Sequence, residues 1–203
     1  MYFFYLSKFE VSYAPLIKHQ FVMKIITPLL MICLFLQFSC QNNGDQSSNK
    51  NQSMDEEELR RVTMLIDPSP TTYQEDQINK LVQYALNQEW PVHKTESGLL
   101  YWIRKEGNDV RASRNDEVMV RYKGNLLDGT VFDQSPPSGE PITFNLGGVI
   151  PAWQEAISLV GEDGQIIILA HSDLAYGGRR MGNAIPPYSP LIFEIELINV
   201  NKR

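Results

Sequence analysis

After Cys40 this chain contains no cysteine, and its one other thiol is Cys33. The long C-terminal part can therefore form no disulfide and no thiolate metal site, and it suits an oxidising or a reducing compartment equally. Histidine is scarce as well. His19, His93 and His171 stand far apart, without the short spacing that lets two imidazoles share a metal ion. No nucleophile–base pair stands out. Gly147-Gly148 and Gly177-Gly178 mark turns and not phosphate cradles, because no Gly-Lys-Ser/Thr follows either pair. Basic residues number 18 against 24 acidic ones, for a net charge of −6, and they are scattered, with Arg179-Arg180 an isolated pair. That argues against a nucleic-acid partner. What the chain has is 43% apolar and 10% aromatic residues in a length of 203, enough for one domain with extensions. Metal, cofactor and covalent chemistry are not expected of it.

The N-terminal region reads as an address. Met23-Lys24 opens a short positive stretch, and Ile25 to Phe38 is apolar apart from Thr27, Pro28 and Gln37. This run is shorter than the ~20 residues of a comfortable membrane span and suits the core of a secretion signal. It ends at Ser39-Cys40, where the chain turns polar at once. A small residue before a cysteine in that place resembles a bacterial lipoprotein signal, although Gln37 stands where an aliphatic residue is usual. The resemblance implies a signal peptide over 23–39, a lipid on Cys40, and a membrane-anchored protein of the bacterial envelope facing the periplasm. An uncleaved helical anchor is the alternative. Residues 1–22 do not fit before a signal, so Met23 is expected to be the true start.

Residues 40–71 read as a flexible tether, rich first in Asn, Gln and Ser, then charged, and closed by Asp67-Pro68-Ser69-Pro70. A helix is expected from Thr72 to Glu89, capped by Thr71 or Thr72 with Glu75 following. Ile78, Leu81, Val82, Ala85 and Leu86 share one face of it. That stripe packs either on the domain or on a second copy, as a homodimer through 72–89. From Ser97 the period becomes two. Strands are expected over Leu99–Ile103, Glu117–Leu127, Pro141–Leu146, Gly164–Ala170 and Pro190–Val200, with a short helix over Pro151–Leu159. The fold class is α+β: an antiparallel sheet wrapped around a short helix, with an extra N-terminal helix.

Aromatic residues repeatedly sit beside Gly or Pro breaks, where a strand ends and a side chain can face a cavity. The blocks are Val120-Arg121-Tyr122-Lys123-Gly124, Asp128-Gly129-Thr130-Val131-Phe132-Asp133, Gly148-Val149-Ile150-Pro151-Ala152-Trp153, Leu174-Ala175-Tyr176-Gly177 and Ile185-Pro186-Pro187, leading into Phe193-Glu194-Ile195-Glu196-Leu197. In this order they resemble the FKBP-type peptidyl-prolyl cis–trans isomerases, over 97–203 or about half the chain.

The resemblance implies a proline pocket. Trp153 is its floor, with walls from Tyr122, Phe132, Ile142, Val149, Ile150, Ile185 and Phe193. Ile142 stands where many members have an aromatic residue. Asp133 and Tyr176 are the polar rim, and the Ile150 N–H donates to substrate. The expected partners are proline-containing polypeptides, the membrane through a lipid, and macrolide inhibitors. Each residue also has a plainer reading: Trp153 as core, Asp133 as a turn residue, Tyr176 as strand-end packing, His171 as a loop or core histidine. The loop Gln134–Gly139 has no arginine, which some members use to hold the aspartate, so Asp133 is expected to be less firmly held. The rival function is a proline-segment-binding chaperone or assembly factor whose turnover is incidental.

Overall fold

A run of consecutive apolar residues at Ile166-Ile167-Ile168-Leu169-Ala170 requires cover on both faces of its strand. The computed structural model, which describes residues 54–136 and 138–203, shows both layers of cover. The strands are β1 (His93–Lys94), β2 (Leu100–Lys105), β3 (Glu117–Leu126), β4 (Val131–Gln134), β5 (Ile142–Asn145), β6 (Gln165–Ala170) and β7 (Leu191–Asn201). They form one antiparallel sheet in the order β1-β2-β6-β7-β3-β4, with β5 also on β3. The expected strands are all present within a residue or two. β1 and β4 were not anticipated, and β1 takes the sheet back before Ser97.

Alternation along the strands sorts the side chains. Ile166, Ile168, Phe193, Ile195 and Val120 enter an inner core with Trp153, Ala156 and Ile157 of the short helix α1 (Pro151–Ile157). Pro151 takes the first helical position, where its missing N–H costs nothing. In β7 the pairing with β3 shifts between Asn199 and Leu197, a bulge that turns both Leu197 and Val200 inward although they are three apart.

The outer face carries Leu100, Ile167, Leu169 and Ile192, and a second core covers them. It is built by two helices that precede the sheet, αA (Glu56–Thr63) and αB (Tyr73–Asn87). Thr72, not Thr71, caps αB: its Oγ1 accepts from Glu75 N–H at 3.2 Å and its own N–H donates to the Glu75 carboxylate at 2.9 Å. Leu81, Val82 and Ala85 are fully buried against the sheet. The stripe expected to serve either packing or a homodimer is thus covered within the chain itself.

The tether expectation for 40–71 needs correction over its last part. Asp55 and Glu58 form a reciprocal cap, with Glu58 N–H donating to Asp55 at 2.8 Å, and αA follows. Val62 is fully buried, and Arg61 donates to the Val92 and Pro91 carbonyls at 2.7 and 3.1 Å. The charges that suggested a tether are the solvated side of a helix. The expectations for 1–22, 23–39 and Cys40 lie outside the described residues. No described helix is long and apolar enough to cross a membrane.

Candidate functional site

Between the sheet's inner face and α1 lies a hollow of about 370 Å³. β3 brings Tyr122, β4 brings Phe132 and Asp133, β5 brings Ile142 and Phe144, and β7 brings Phe193. The turn into α1 adds Val149 and Ile150, α1 adds Trp153, and the loop after β6 adds Tyr176. Trp153 is 6% exposed and stands at the centre of an aromatic cluster. Tyr122 and Phe193 meet it edge-on, with centroids 5.0 and 5.4 Å away, and Phe144 lies tilted at 5.5 Å. Phe132 stands edge-on to Phe193 at 5.5 Å. Edge-on packing of this kind is favoured by the ring quadrupoles and holds the walls at set angles.

One glycine makes this wall possible. A Cβ on Gly124 would lie 2.6 Å from the Phe132 ring and 3.1 Å from Phe193. Its absence lets the edge of the Phe132 ring come close against β3.

Polar groups gather at the rim. The Tyr122 hydroxyl donates to Asp133 Oδ2 at 2.6 Å, and Asp133 Oδ1 accepts from Gln134 N–H at 2.9 Å. Asp133, expected to be less firmly held because the loop lacks arginine, is instead held by a tyrosine. Burial, then the bond to Asp133, pushes the Tyr122 phenol well above its ordinary range. Burial, then the Asp133 charge, also raises Tyr176. Both phenols therefore keep their protons at any physiological pH. Among the described residues, no acceptor takes the Tyr176 O–H or the Ile150 N–H, so two donors face the hollow uncommitted.

Of the ten site residues expected from sequence, nine line the hollow: Tyr122, Phe132, Asp133, Ile142, Val149, Ile150, Trp153, Tyr176 and Phe193. Ile185 does not. It is 6% exposed and belongs to the inner core, paired in a small bridge with Met181. Its loop folds back on itself, with Met181 N–H donating to the Ile185 carbonyl at 3.1 Å and Ile185 N–H to the Met181 carbonyl at 3.2 Å. Phe144 is a further wall residue that the blocks do not mark; it shares a strand face with Ile142, and period-two alternation is the signal for it. It supplies an aromatic ring beside Ile142, the position where many members of the family carry one. His171 is buried at 1% exposure, and its Nε2 lies 3.0 Å from the Ser97 carbonyl, as a core histidine.

A second groove, of about 340 Å³, opens on the outer face. Its lining is charged, and Arg121 and Glu196 already pair there at 3.1 Å. It has none of the stacked rings of the inner hollow.

An antiparallel sheet closed over a short helix, with an aromatic hollow and free donors at its mouth, defines a domain with a hollow of a size and lining suited to a small apolar ring. Residues 108–198 match the family of FKBP-type peptidyl-prolyl cis–trans isomerases, and the chain carries a domain of that family. It is similar to the FKBP-type 22 kDa peptidyl-prolyl cis-trans isomerase of Escherichia coli, 44% identical over 109 residues, covering 54% of this chain and 53% of the relative. It is also similar to the outer membrane protein MIP of Legionella longbeachae, 43% identical over 106 residues, covering 52% of this chain and 46% of the relative. The chain thus spans about half the length of the curated relatives it matches. Among solved structures, FkpA from Escherichia coli matches with a TM-score of 0.52 at 28% identity, over 73% of this chain and 83% of that one. A peptidyl-prolyl isomerase from Pseudomonas syringae pv. tomato matches with a TM-score of 0.52 at 28% identity, over 75% and 100%.

Proposed function

We propose that the protein is a peptidyl-prolyl cis–trans isomerase acting on X–Pro bonds of exported proteins. The observation that carries this reading is the Trp153 floor, with Tyr122, Phe144 and Phe193 standing around it, beneath two uncommitted donors. Rotation about X–Pro is slow because amide resonance must be broken, a barrier of ~18–20 kcal/mol. Resonance separates charge between oxygen and nitrogen, and water stabilises the planar form. A dry hollow removes that stabilisation and so favours the twisted amide relatively. The rings hold the pyrrolidine while the acyl side turns. The Ile150 N–H and Tyr176 O–H are placed to bind the substrate's carbonyl oxygens. Asp133, held by Tyr122, offers an acceptor at the rim to N–H groups of the substrate backbone. Each ~1.4 kcal/mol of preference for the twisted form is worth tenfold in rate. No acid, base or metal enters this sequence of events. The same hollow would take macrolide ligands built around a proline-like ring.

The rival reading, a proline-binding chaperone, uses the same pocket. The αB stripe that would have offered it a client surface is buried against the sheet.

The test is interconversion of a short X-Pro-Phe peptide, followed by protease coupling or by exchange spectroscopy. Acceleration over background is expected, with Trp153→Leu reducing kcat/KM by about two orders of magnitude. A folded protein with no acceleration, and no response to Trp153 or Asp133 substitution, would refute the proposal.

The same reading places the protein on an envelope membrane, anchored by a lipid on Cys40. It is supported by the apolar run ending at Ser39-Cys40 and by the outer-membrane name of one relative. Labelled palmitate should enter the protein in bacteria and fail to enter a Cys40→Ser variant.

A further inference from the structure

Gln77 lies on αB, outside the 108–198 stretch matched to the family, yet it is only 7% exposed. Its amide ties down both sides of the loop that carries Tyr176. Oε1 accepts from the Ser172 N–H at 2.8 Å, and Nε2 donates to the Tyr188 carbonyl at 2.9 Å. One partner is a pure donor and the other a pure acceptor, so the orientation of the amide is unambiguous.

Both partners lead to Tyr176 through the backbone. The Ser172 carbonyl accepts from Ala175 N–H at 2.9 Å and from Gly177 N–H at 2.8 Å, the two amides that flank Tyr176. The Tyr188 N–H donates to the Gly177 carbonyl at 2.8 Å. The conformations involved need holding. Gly177 and Tyr188 both sit at φ 58°, a left-handed region that a bulky L residue seldom adopts. αB adds a further tie: the Tyr73 hydroxyl donates to the Asp173 carboxylate, and its ring meets Tyr188 edge-on at 5.8 Å. The Tyr176 hydroxyl, by contrast, has no partner among the described residues, so its place depends on how its backbone is held.

We propose that Gln77 is a positioning residue that sets the Tyr176 hydroxyl over the hollow, making the N-terminal helix part of the isomerase machinery. This rests on the isomerase reading above. A long polar side chain buried beside an otherwise apolar stripe is not needed for αB to cover the sheet, and here both ends of its amide are spent on the loop. Its two bonds make the geometry of the loop, and hence of the hydroxyl, depend on αB.

The test measures kcat and KM on the X-Pro-Phe peptide for the full chain, for Gln77→Met and Gln77→Glu, and for each of these combined with Tyr176→Phe. Methionine keeps the length of the side chain and removes both bonds. Glutamate keeps the acceptor for Ser172, and it carries the comparison should the methionine variant fail to fold. Gln77→Met is expected to lower kcat/KM by about five- to tenfold, mainly through kcat, and by less than about twofold once Tyr176 is phenylalanine. Gln77→Glu, which sets a carboxylate against the Tyr188 carbonyl, is expected to lose at least as much beside Tyr176 and to recover as pH falls and the carboxyl gains a proton to donate. Equal losses in both backgrounds, or none in either, would overturn the positioning role while leaving the isomerase reading intact. An inactive wild-type protein would overturn the isomerase reading, and the positioning role with it.

Discussion

The Tyr122 hydroxyl and the Asp133 carboxylate meet at 2.6 Å, joining β3 to β4 across the mouth of the hollow. The bond serves two purposes. It orients an exposed carboxylate that no arginine in the following loop could reach, and it ties the Tyr122 ring against the Trp153 floor. Tyr122→Phe keeps the ring contact and removes only the bond. A hydrogen bond to a charged group is worth roughly 1.5–3 kcal/mol when buried and less at this open rim, so kcat/KM should fall about three- to tenfold. Peptide isomerisation kinetics and a melting curve for the variant check this, and a little-changed melting temperature is expected. Because the phenol's pKa is raised, the wild-type protein should keep its activity unchanged up to the pH at which a free phenol would ionise, 10.0. The stability contributed by the protonated phenol is fully present below that pH. It is lost as pH rises from there through the folded value.

Gly124→Ala should close the hollow. The added methyl meets the Phe132 ring at 2.6 Å, where real contacts essentially never come, and the ring must swing into the space a proline would fill. Overpacking of this kind costs about 1–3 kcal/mol of stability. The loss in kcat/KM should be the larger effect and should appear mainly in KM. A titration with a proline peptide, followed by Trp153 fluorescence, reads it directly.

Asp116 makes an acid-sensitive clamp. Its carboxylate is 1% exposed and accepts from Ser113 N–H and Oγ, both at 2.7 Å, from Lys202 Nζ at 3.0 Å and from Arg203 N–H at 3.1 Å. The bonds from Ser113, then those from Lys202 and Arg203, hold its pKa below the ordinary 3.8. A depressed carboxylate stabilises the fold above its unfolded pKa, and that stability is lost as pH falls through the folded value. Melting temperature should therefore drop below about pH 4. Asp116→Asn should lower it at neutral pH and flatten the acid limb. An unchanged limb would show that other carboxylates govern acid unfolding.

Leu81→Ala tests whether αB belongs to the fold. Leu81 is fully buried among Leu100, Ile167, Leu169 and Ile192. The cavity left should cost about 2–5 kcal/mol, visible as a lower denaturation midpoint in urea. A change near zero would mean that the helices rest on the sheet without holding it.

Much of this could be read from the residues. The alternation in 117–127 and 190–200 forecast strands because each has one face against the inner core. The five blocks forecast the wall because rings beside Gly and Pro breaks sit where strands open onto the hollow. What could not be read has a physical cause in each case. β4 is four residues long and, among the described residues, pairs with β3 alone, so its local sequence looks like a turn. Ile185 sits beside two prolines, as the other wall residues sit beside Gly and Pro breaks, yet it packs into the core, in a loop bridged back to Met181. The charges of 55–62 looked like a solvated tether because αA buries little more than Val62.

By itself, the sequence determined a domain with no cysteine after Cys40 and with rings set beside Gly and Pro breaks, and the order of its blocks pointed to one family. Only the tertiary structure decided which groups meet. Gln77 and Ser172 are 95 positions apart, and Tyr73 and Asp173 are 100 apart; no periodicity reports a contact made by folding one helix across the back of a sheet. Local patterns record which side of an element is buried. They do not record against what, and the coupling of αB to the mouth of the pocket lies wholly in that second fact.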